Sequence, residues 1–274
     1  ISTNNFSYSS IGMTNGNDLR IFSFDTSNFI KFHIEKWDTN GDSFVWINMP
    51  AVSKTSSKII YMYYGNTNTT NVQNTNGTYT SDYRLVYHFN ETSGSVKDMT
   101  SNTNNGAPAG VPPLGYGYAG PIGNSIYFAS NQLNITHNNS LNFGTTNFSI
   151  SFWINITNLY YTTPNWPTIV SKYSSSNSWN INRNIGNYGY YSQPRYQGGI
   201  NGQVARYNMP YTNEWKLVTV IVDYANQTNK LYENSFFIAG AFMTNNVISY
   251  DNGGNLTIGY SGEAVGKINE LSIK

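Results

Sequence analysis

The chain has 274 residues, enough for one large β domain or two smaller ones. Charged side chains make up only 11% of it, while aromatic residues reach 16% with 23 Tyr; strong helix formers are scarce and rings plentiful, which excludes both an ordinary helical protein and a disordered one. A net charge of +1, with Lys and Arg scattered singly, leaves no basic stripe to follow a phosphate backbone and excludes a nucleic-acid binder.

In chain order the pattern is one of short strands. Residues 1–10 read as an edge strand open to strand addition. Strands are predicted over 19–24 and over 29–37, where Ile30, Phe32 and Ile34 alternate with Lys31, His33 and Glu35. Two more are predicted over 44–49 and 59–64. Residues 65–83 are almost purely polar and read as a linker, so the expected division is an N-terminal β domain with its linker over 1–83 and a second domain over 84–274.

The second part opens with a strand over 84–89. Residues 100–123, with Pro108, Pro112, Pro113 and Pro121, read as a long functional loop or surface wrap. Strands follow over 125–129 and 148–157, the latter with Phe148, Ile150, Phe152, Ile154 and Ile156 inward. Trp153 stands on its opposite face, where it marks a covering segment or a ligand surface. Further strands are predicted over 168–171, 179–183, 217–224, 256–260 and 267–273, with 217–224 apolar on both faces. Alternation of period two without a helical stripe makes this an all-β chain, an antiparallel β-sandwich with a smaller N-terminal β domain.

Two sets of residues carry a family resemblance. Asp18-Leu-Arg-Ile-Phe, Phe32-His-Ile-Glu-Lys-Trp37, Val45-Trp-Ile-Asn-Met-Pro50 and Ile60-Tyr-Met-Tyr-Tyr-Gly-Asn66 resemble an uncharacterised β domain of prokaryotic surface proteins that ends in a V-W-V-x-x-P strand and a Y-Y-G-N signature. Leu85-Val-Tyr-His-Phe-Asn-Glu-Thr-Ser-Gly94, Ile126-Tyr-Phe128, Phe148-Ser-Ile-Ser-Phe-Trp-Ile154, Trp215-Lys-Leu-Val-Thr-Val, Leu256-Thr-Ile-Gly259 and Gly266-Lys-Ile-Asn-Glu-Leu271 resemble the laminin-G-like, concanavalin A-like lectin sandwich, a jelly roll. That resemblance implies a structural calcium held by Asp98 and by carbonyls near the closing strand. Here Asn269 stands where the family usually has Asp.

Paired carboxylates of the glycosidase type, alternating on one strand, do not occur in the sequence, and the expected function is not enzymatic. His33, His88 and His137 fall on separate elements with no metal-ligand spacing. Asp38-Thr-Asn-Gly-Asp42 matches the start of a calcium loop but lacks its distal Glu, and the same letters make a turn. Cysteine is absent, which excludes disulfides and thiol chemistry, and no apolar run approaches the roughly 18 residues of a membrane span.

The aromatic excess gathers at Tyr160, Tyr161, Trp166, Trp179, Tyr188, Tyr190, Tyr191 and Tyr196, with Tyr207 and Tyr211 beyond, among Asn, Gln, Ser and Gly. Flat rings stack on sugar C–H faces while amides bond to hydroxyls, and the same mixture suits a protein contact or inter-strand ring pairs. Glycosylation sequons begin at Asn5, Asn68, Asn76, Asn90, Asn134, Asn138, Asn147, Asn155, Asn226 and Asn255. The expected function is recognition: an extracellular module of a cell-surface adhesin or virion attachment protein that binds a surface glycan or protein. The alternatives are a structural subunit of a filament or surface layer, self-assembled by strand addition, and a carbohydrate-active enzyme whose catalytic part lies elsewhere.

Overall fold

The computed structural model describes residues 1–24, 28–49, 52–156, 168–172, 179–184, 189–194, 205–206, 213–242, 251, 253–259 and 264–274. They form two compact units, 1–82 with 99–101 and 83–98 with 102–274. Among them no helix is long and apolar enough to cross a membrane.

The first unit holds β1 (Arg20–Ser23), β2 (Phe32–Lys36), β3 (Phe44–Ile47) and β4 (Ile60–Tyr63) in two antiparallel ribbons, β1 with β4 and β2 with β3. Its core is small: Leu19, Ile21, Ile30 and Phe32 are buried, with Ile34, Trp37, Val45, Ile47 and Met62 packed against them. At about 1.5–3 kcal/mol for each fully buried large side chain, four such residues stabilise modestly, and polar ties carry much of the rest.

Asp18 supplies the densest of those ties. The amides of Gly12 and Gly65 donate to its Oδ2 at 2.8 and 2.6 Å, and that of Met13 to Oδ1 at 3.3 Å. This explains the distant Asp18 and Tyr-Tyr-Gly-Asn signatures: the carboxylate joins the segment before β1 to the turn after β4. Gly65 takes φ 96°, a conformation that L side chains rarely adopt. Burial raises the Asp18 carboxyl, but the donors of Gly12, Gly65, Asp18 itself and Met13 outweigh it and hold the group below its ordinary value. A lowered folded pKa gives stability that is present above the unfolded carboxyl value and lost as pH falls through the folded one, so the first unit should weaken below about pH 4. Asp18→Ala should cost about 2–4 kcal/mol and remove that acid limb, read as chemical denaturation at pH 7 and pH 3.

Residues 65–82, expected as a linker, are instead fastened to the first unit. Arg20 donates to Thr69 Oγ1 and the Thr70 carbonyl, the Ile34 amide donates to Gln73 Oε1 at 2.7 Å, and the Asn74 amide donates to the Phe32 carbonyl at 2.8 Å. Their side chains are polar because hydrogen bonds rather than apolar burial hold them. Residues 1–10 also depart from expectation, since they form turns and a 3₁₀ segment at Tyr8–Ser10. The Ile1 ammonium donates to the Ser43 carbonyl at 3.2 Å, and the Ser43 amide donates back to the Ile1 carbonyl at 2.8 Å.

The second unit runs β5 (Leu85–Tyr87), β6 (Ala107–Gly110), β7 (Gly115–Ala119), β8 (Asn124–Ala129), β9 (Asn131–Ile135), β10 (Phe148–Asn155) and β11 (Thr168–Lys172). It continues with β12 (Trp179–Asn184), β13 (Gly189–Pro194), β14 (Ala205–Arg206), β15 (Trp215–Asp223), β16 (Thr228–Glu233), β17 (Phe236–Phe242), β18 (Leu256–Gly259) and β19 (Ala264–Ile273). Among the described residues one sheet has the order β17-β16-β15-β10-β19-β8-β7, with β5 also on β19, and the other has the order β14-β13-β12-β11-β18-β9-β6. The described residues are therefore those of an all-β protein with an antiparallel two-sheet sandwich.

Inward residues of both sheets make one core, in which Tyr87, Phe89, Phe128, Leu133, Phe152, Ile169, Ile258 and Ile268 are fully covered. β10 follows its sequence pattern, with Phe148, Ile150, Phe152 and Ile154 buried. β15 lies centrally between β10 and β16, but only Val218, Val220 and Val222 are buried, so the expectation of two covered faces is corrected to one covered and one half-covered. Residues 100–123 contribute β6 and β7, one edge strand of each sheet, rather than one long loop. Edge strands tolerate Pro108 and the local Gly content because one side of their backbone needs no partner.

Candidate functional site

The expected aromatic site is mostly beyond description: Tyr160, Tyr161, Trp166, Tyr188 and Tyr196 lie outside the described residues, as do Tyr207 and Tyr211, and of Tyr190 and Tyr191 only the β13 backbone is described. Trp179 is described, and it corrects the reading of it as a ligand platform. It is 4% exposed and belongs to the core, its ring 5.6 Å from that of Phe148 and 6.1 Å from that of Phe143. Proximity in sequence to other rings could not separate a core tryptophan from a surface one.

Asp98 and Asn269, the residues of the implied calcium site, are each engaged in a separate set of hydrogen bonds. The Asp98 carboxylate accepts the amides of Val86 at 3.0 Å and Asn104 at 2.9 Å, and so shapes the turn after β5. Asn269 is fully buried on β19. Its Nδ2 donates to the carbonyls of His88, Ile122 and Asn124, and its Oδ1 accepts the Ile122 amide. Three carbonyls converge on the Asn269 amide, whose N–H groups satisfy them in this orientation. Asp38 closes a turn, accepting the Asn40 amide at 3.0 Å and pairing with Lys36 at 2.9 Å.

Two ionisable features escaped the sequence. His88 Nδ1 lies 2.7 Å from Glu270 Oε2, both buried, a pairing made by β19 returning beside β5. Lys172, at the end of β11, is buried with its Nζ 3.1 Å from the Gly254 carbonyl and 3.4 Å from His137 Nδ1. Burial lowers its ammonium to about 8, against the opposing pull of the Asp251 carboxylate. Between the folded value and the ordinary lysine value the unfolded chain binds the extra proton, so stability rises with pH across that window. We expect a gain of about 2 kcal/mol from pH 8 to pH 10, absent in Lys172→Met, by denaturant titration.

Of the sequons, Asn5, Asn68, Asn76, Asn138, Asn147, Asn226 and Asn255 are exposed, and Asn90 and Asn134 are partly covered. Asn155 is buried in β10 and its Nδ2 donates to the Asn213 carbonyl at 3.1 Å, which removes it as an acceptor in the folded chain.

A candidate site built from described residues lies in the first unit. Antiparallel register places Phe22 opposite Tyr61 and Arg20 opposite Tyr63. Alternation then sends Ile21 inward on β1 and Met62 against the core on β4, while Phe22, Phe24, Tyr61 and Tyr63 share the outer face. The Phe24 amide extends the pairing with a bond to the Ile59 carbonyl at 3.1 Å. The result is an open groove of about 520 Å³ lined by Phe22, Ser23, Phe24, Tyr61 and Tyr63. Three of its rings are unusually open for their size, Phe24 at 55%, Tyr61 at 43% and Tyr63 at 57% exposed. The rings meet edge to face, Phe24 with Tyr61 at 5.7 Å and Phe22 with Tyr63 at 5.5 Å, so each fixes the tilt of its neighbour. Two strand ends some forty residues apart in sequence supply them, and only their alternation was visible beforehand.

Comparison with known proteins finds two families along the chain. Residues 15–104 match a family described as a domain of unknown function (DUF2341), and residues 129–273 match the concanavalin A-like lectin/glucanases superfamily. No curated protein matches the chain. Among solved structures, 70% of the chain superposes on the binding domain of Paraclostridial Mosquitocidal Protein 1 (TM-score 0.56, 17% identity, 48% of that chain). The same share superposes on domain 4 of AbnA, an extracellular GH43 arabinanase of Geobacillus stearothermophilus in complex with arabinotriose (TM-score 0.53, 18% identity, 91% of that chain). It also superposes on the binding domain of botulinum neurotoxin DC in complex with rat synaptotagmin II (TM-score 0.54, 17% identity, 48% of that chain). The chain thus spans about half the length of the two toxin domains, and at these identities the likeness is one of fold. The match over 129–273 takes in more than half of the sequence, and the chain belongs to the concanavalin A-like lectin/glucanases superfamily.

Proposed function

We propose that the chain is a non-catalytic recognition module of an extracellular protein, part of a cell-surface adhesin or virion attachment protein, that binds a surface glycan or protein. The observation that carries this reading is the groove of the first unit, where Phe22, Phe24, Tyr61 and Tyr63 line a cleft open to solvent. Rings left exposed in a concave site cost hydration free energy in the isolated protein and regain it on a ligand. The superfamily membership supports the reading, as do the arabinotriose bound to the arabinanase domain and the synaptotagmin bound to the neurotoxin domain. In this reading the chain divides near residue 83 into a recognition unit and a lectin-like sandwich. Glycan-array binding of the whole chain, compared with the Tyr61→Ala/Tyr63→Ala double variant, tests it. Binding by the parent that the variant loses supports the proposal, whereas equal binding by both overturns the assignment of the groove.

A second reading, a structural subunit joined by strand addition, is favoured by β17. Among the described residues it ends its sheet at the edge opposite β7, its sequence Phe-Phe-Ile-Ala-Gly-Ala-Phe carries no charge, and Phe236 is 76% exposed. Uncharged edge strands template pairing with another chain. Sedimentation that shows polymers in the parent and monomers in Phe236→Lys would favour it over the first reading.

A further inference from the structure

We infer that the groove of the first unit takes a neutral oligosaccharide, bound across at least two consecutive sugar rings. This inference rests on the proposed recognition role of the same groove and adds the chemistry of what fills it. Scale argues for a small ligand over a protein face: about 520 Å³ falls within the roughly 300–1,000 Å³ of small-molecule sites, whereas a stable protein partner needs about 800 Å² on each side.

The order of the rings argues for two subsites. Phe24 with Tyr61 and Phe22 with Tyr63 are two edge-to-face pairs side by side, and the Tyr61 and Tyr63 rings that join them are 6.4 Å apart. Each pair offers one ring to stack under a sugar's C–H face and braces it with another. The two phenol groups add hydroxyls, which both donate and accept and so suit sugar hydroxyls.

Charge argues for neutrality. Among the described residues, none of the five that line the groove is charged at neutral pH. The guanidinium in register with Tyr63 belongs to Arg20, and its terminal nitrogens are already engaged. Nη1 donates to the carbonyls of Asn17 and Leu19, and Nη2 to Thr69 Oγ1 and the Thr70 carbonyl. Turning this fork toward a carboxylate, sulfate or phosphate would break the tie that holds residues 69–70 to β1. An acidic sugar would shed its hydration against uncharged lining residues and would have to compete with three carbonyls and a hydroxyl for the guanidinium of Arg20.

The test is calorimetric titration of the whole chain with neutral gluco-, xylo- and arabino-oligosaccharides, from monosaccharide upward, beside sialylated and uronic-acid oligosaccharides of matched length. Expected are binding of at least one neutral series, a gain of about tenfold or more from mono- to disaccharide, and acidic counterparts weaker by at least about tenfold. Tyr61→Ala and Tyr63→Ala should each weaken binding by about tenfold or more while Tyr61→Phe retains most of it, and Val111→Ala, on an exposed turn of the sandwich unit, should leave it unchanged. Unchanged circular dichroism of the variants shows that they are folded. Acidic sugars that bind as tightly as neutral ones, with the same loss in Tyr61→Ala, would overturn the inference and leave the groove as the recognition site. Sugar binding that ignores Tyr61 and Tyr63 would overturn both, and so would an absence of binding to every sugar and to cell-surface protein. Groove-dependent binding of a protein alone would overturn the sugar and keep the recognition role.

Discussion

Asn269→Asp should be among the most damaging single-atom changes in this chain, lowering stability by about 4 kcal/mol or more at pH 7. The side chain is fully buried, and its Nδ2 donates to three carbonyls, those of His88, Ile122 and Asn124. Replacing that donor by a carboxylate oxygen turns three hydrogen bonds into three repulsive contacts and buries a charge without a counter-ion. The Ile122 amide, which donates to Oδ1, would be the only one of these partners still matched. Millimolar calcium should leave the parent's denaturation midpoint unchanged, because the amide already satisfies the carbonyls. In the variant it should restore part of the loss, since four oxygens would then face one point. Denaturant titration with calcium and with chelator reads both effects, and a calcium-dependent midpoint in the parent would contradict the account of this site.

Gly259→Ala should cost about 3 kcal/mol or more. Gly259 ends β18 with φ 79°, and a Cβ built there would lie 2.5 Å from Phe128 Cδ1 and 2.7 Å from the Asn131 carbonyl oxygen. Phe128 is fully buried, so neither ring nor backbone can retreat without opening the core. Conformational strain and overpacking therefore add at one position. Thermal denaturation should show a lower midpoint for the sandwich transition, and a midpoint within error of the parent would mean that the β18–β9 pairing yields more readily than its geometry suggests.

The sandwich was legible because its central strands obey one simple rule. In β10 each second residue is large and apolar, and all four of Phe148, Ile150, Phe152 and Ile154 are buried. The edge strands β6 and β7 were not legible, since Gly and Pro serve there where no alternation is needed. The polar stretch after β4 looked like a linker because its attachment is made by Asp18, Arg20 and Gln73 rather than by apolar side chains. Trp179 is hidden for the opposite reason: its neighbours in sequence are polar, but its neighbours in space are Phe143 and Phe148. The groove lay between these extremes. The alternation of Tyr61 and Tyr63 around Met62, and of Phe22 and Phe24 around Ser23, is present in the sequence. The register that makes Phe22 the partner of Tyr61 is a tertiary fact, fixed in part by the Asp18 tie across β1 and β4.

The central claim is that recognition takes place on the outer face of β1 and β4. It is tested most directly by recording aromatic carbon–proton NMR spectra of the whole chain during titration with the neutral oligosaccharide that binds best. The ring signals of Phe22, Phe24, Tyr61 and Tyr63 should move first and furthest, while those of the core rings Phe128 and Phe152 stay in place. Shifts confined to the sandwich, with the four groove rings unmoved at saturation, would contradict the claim.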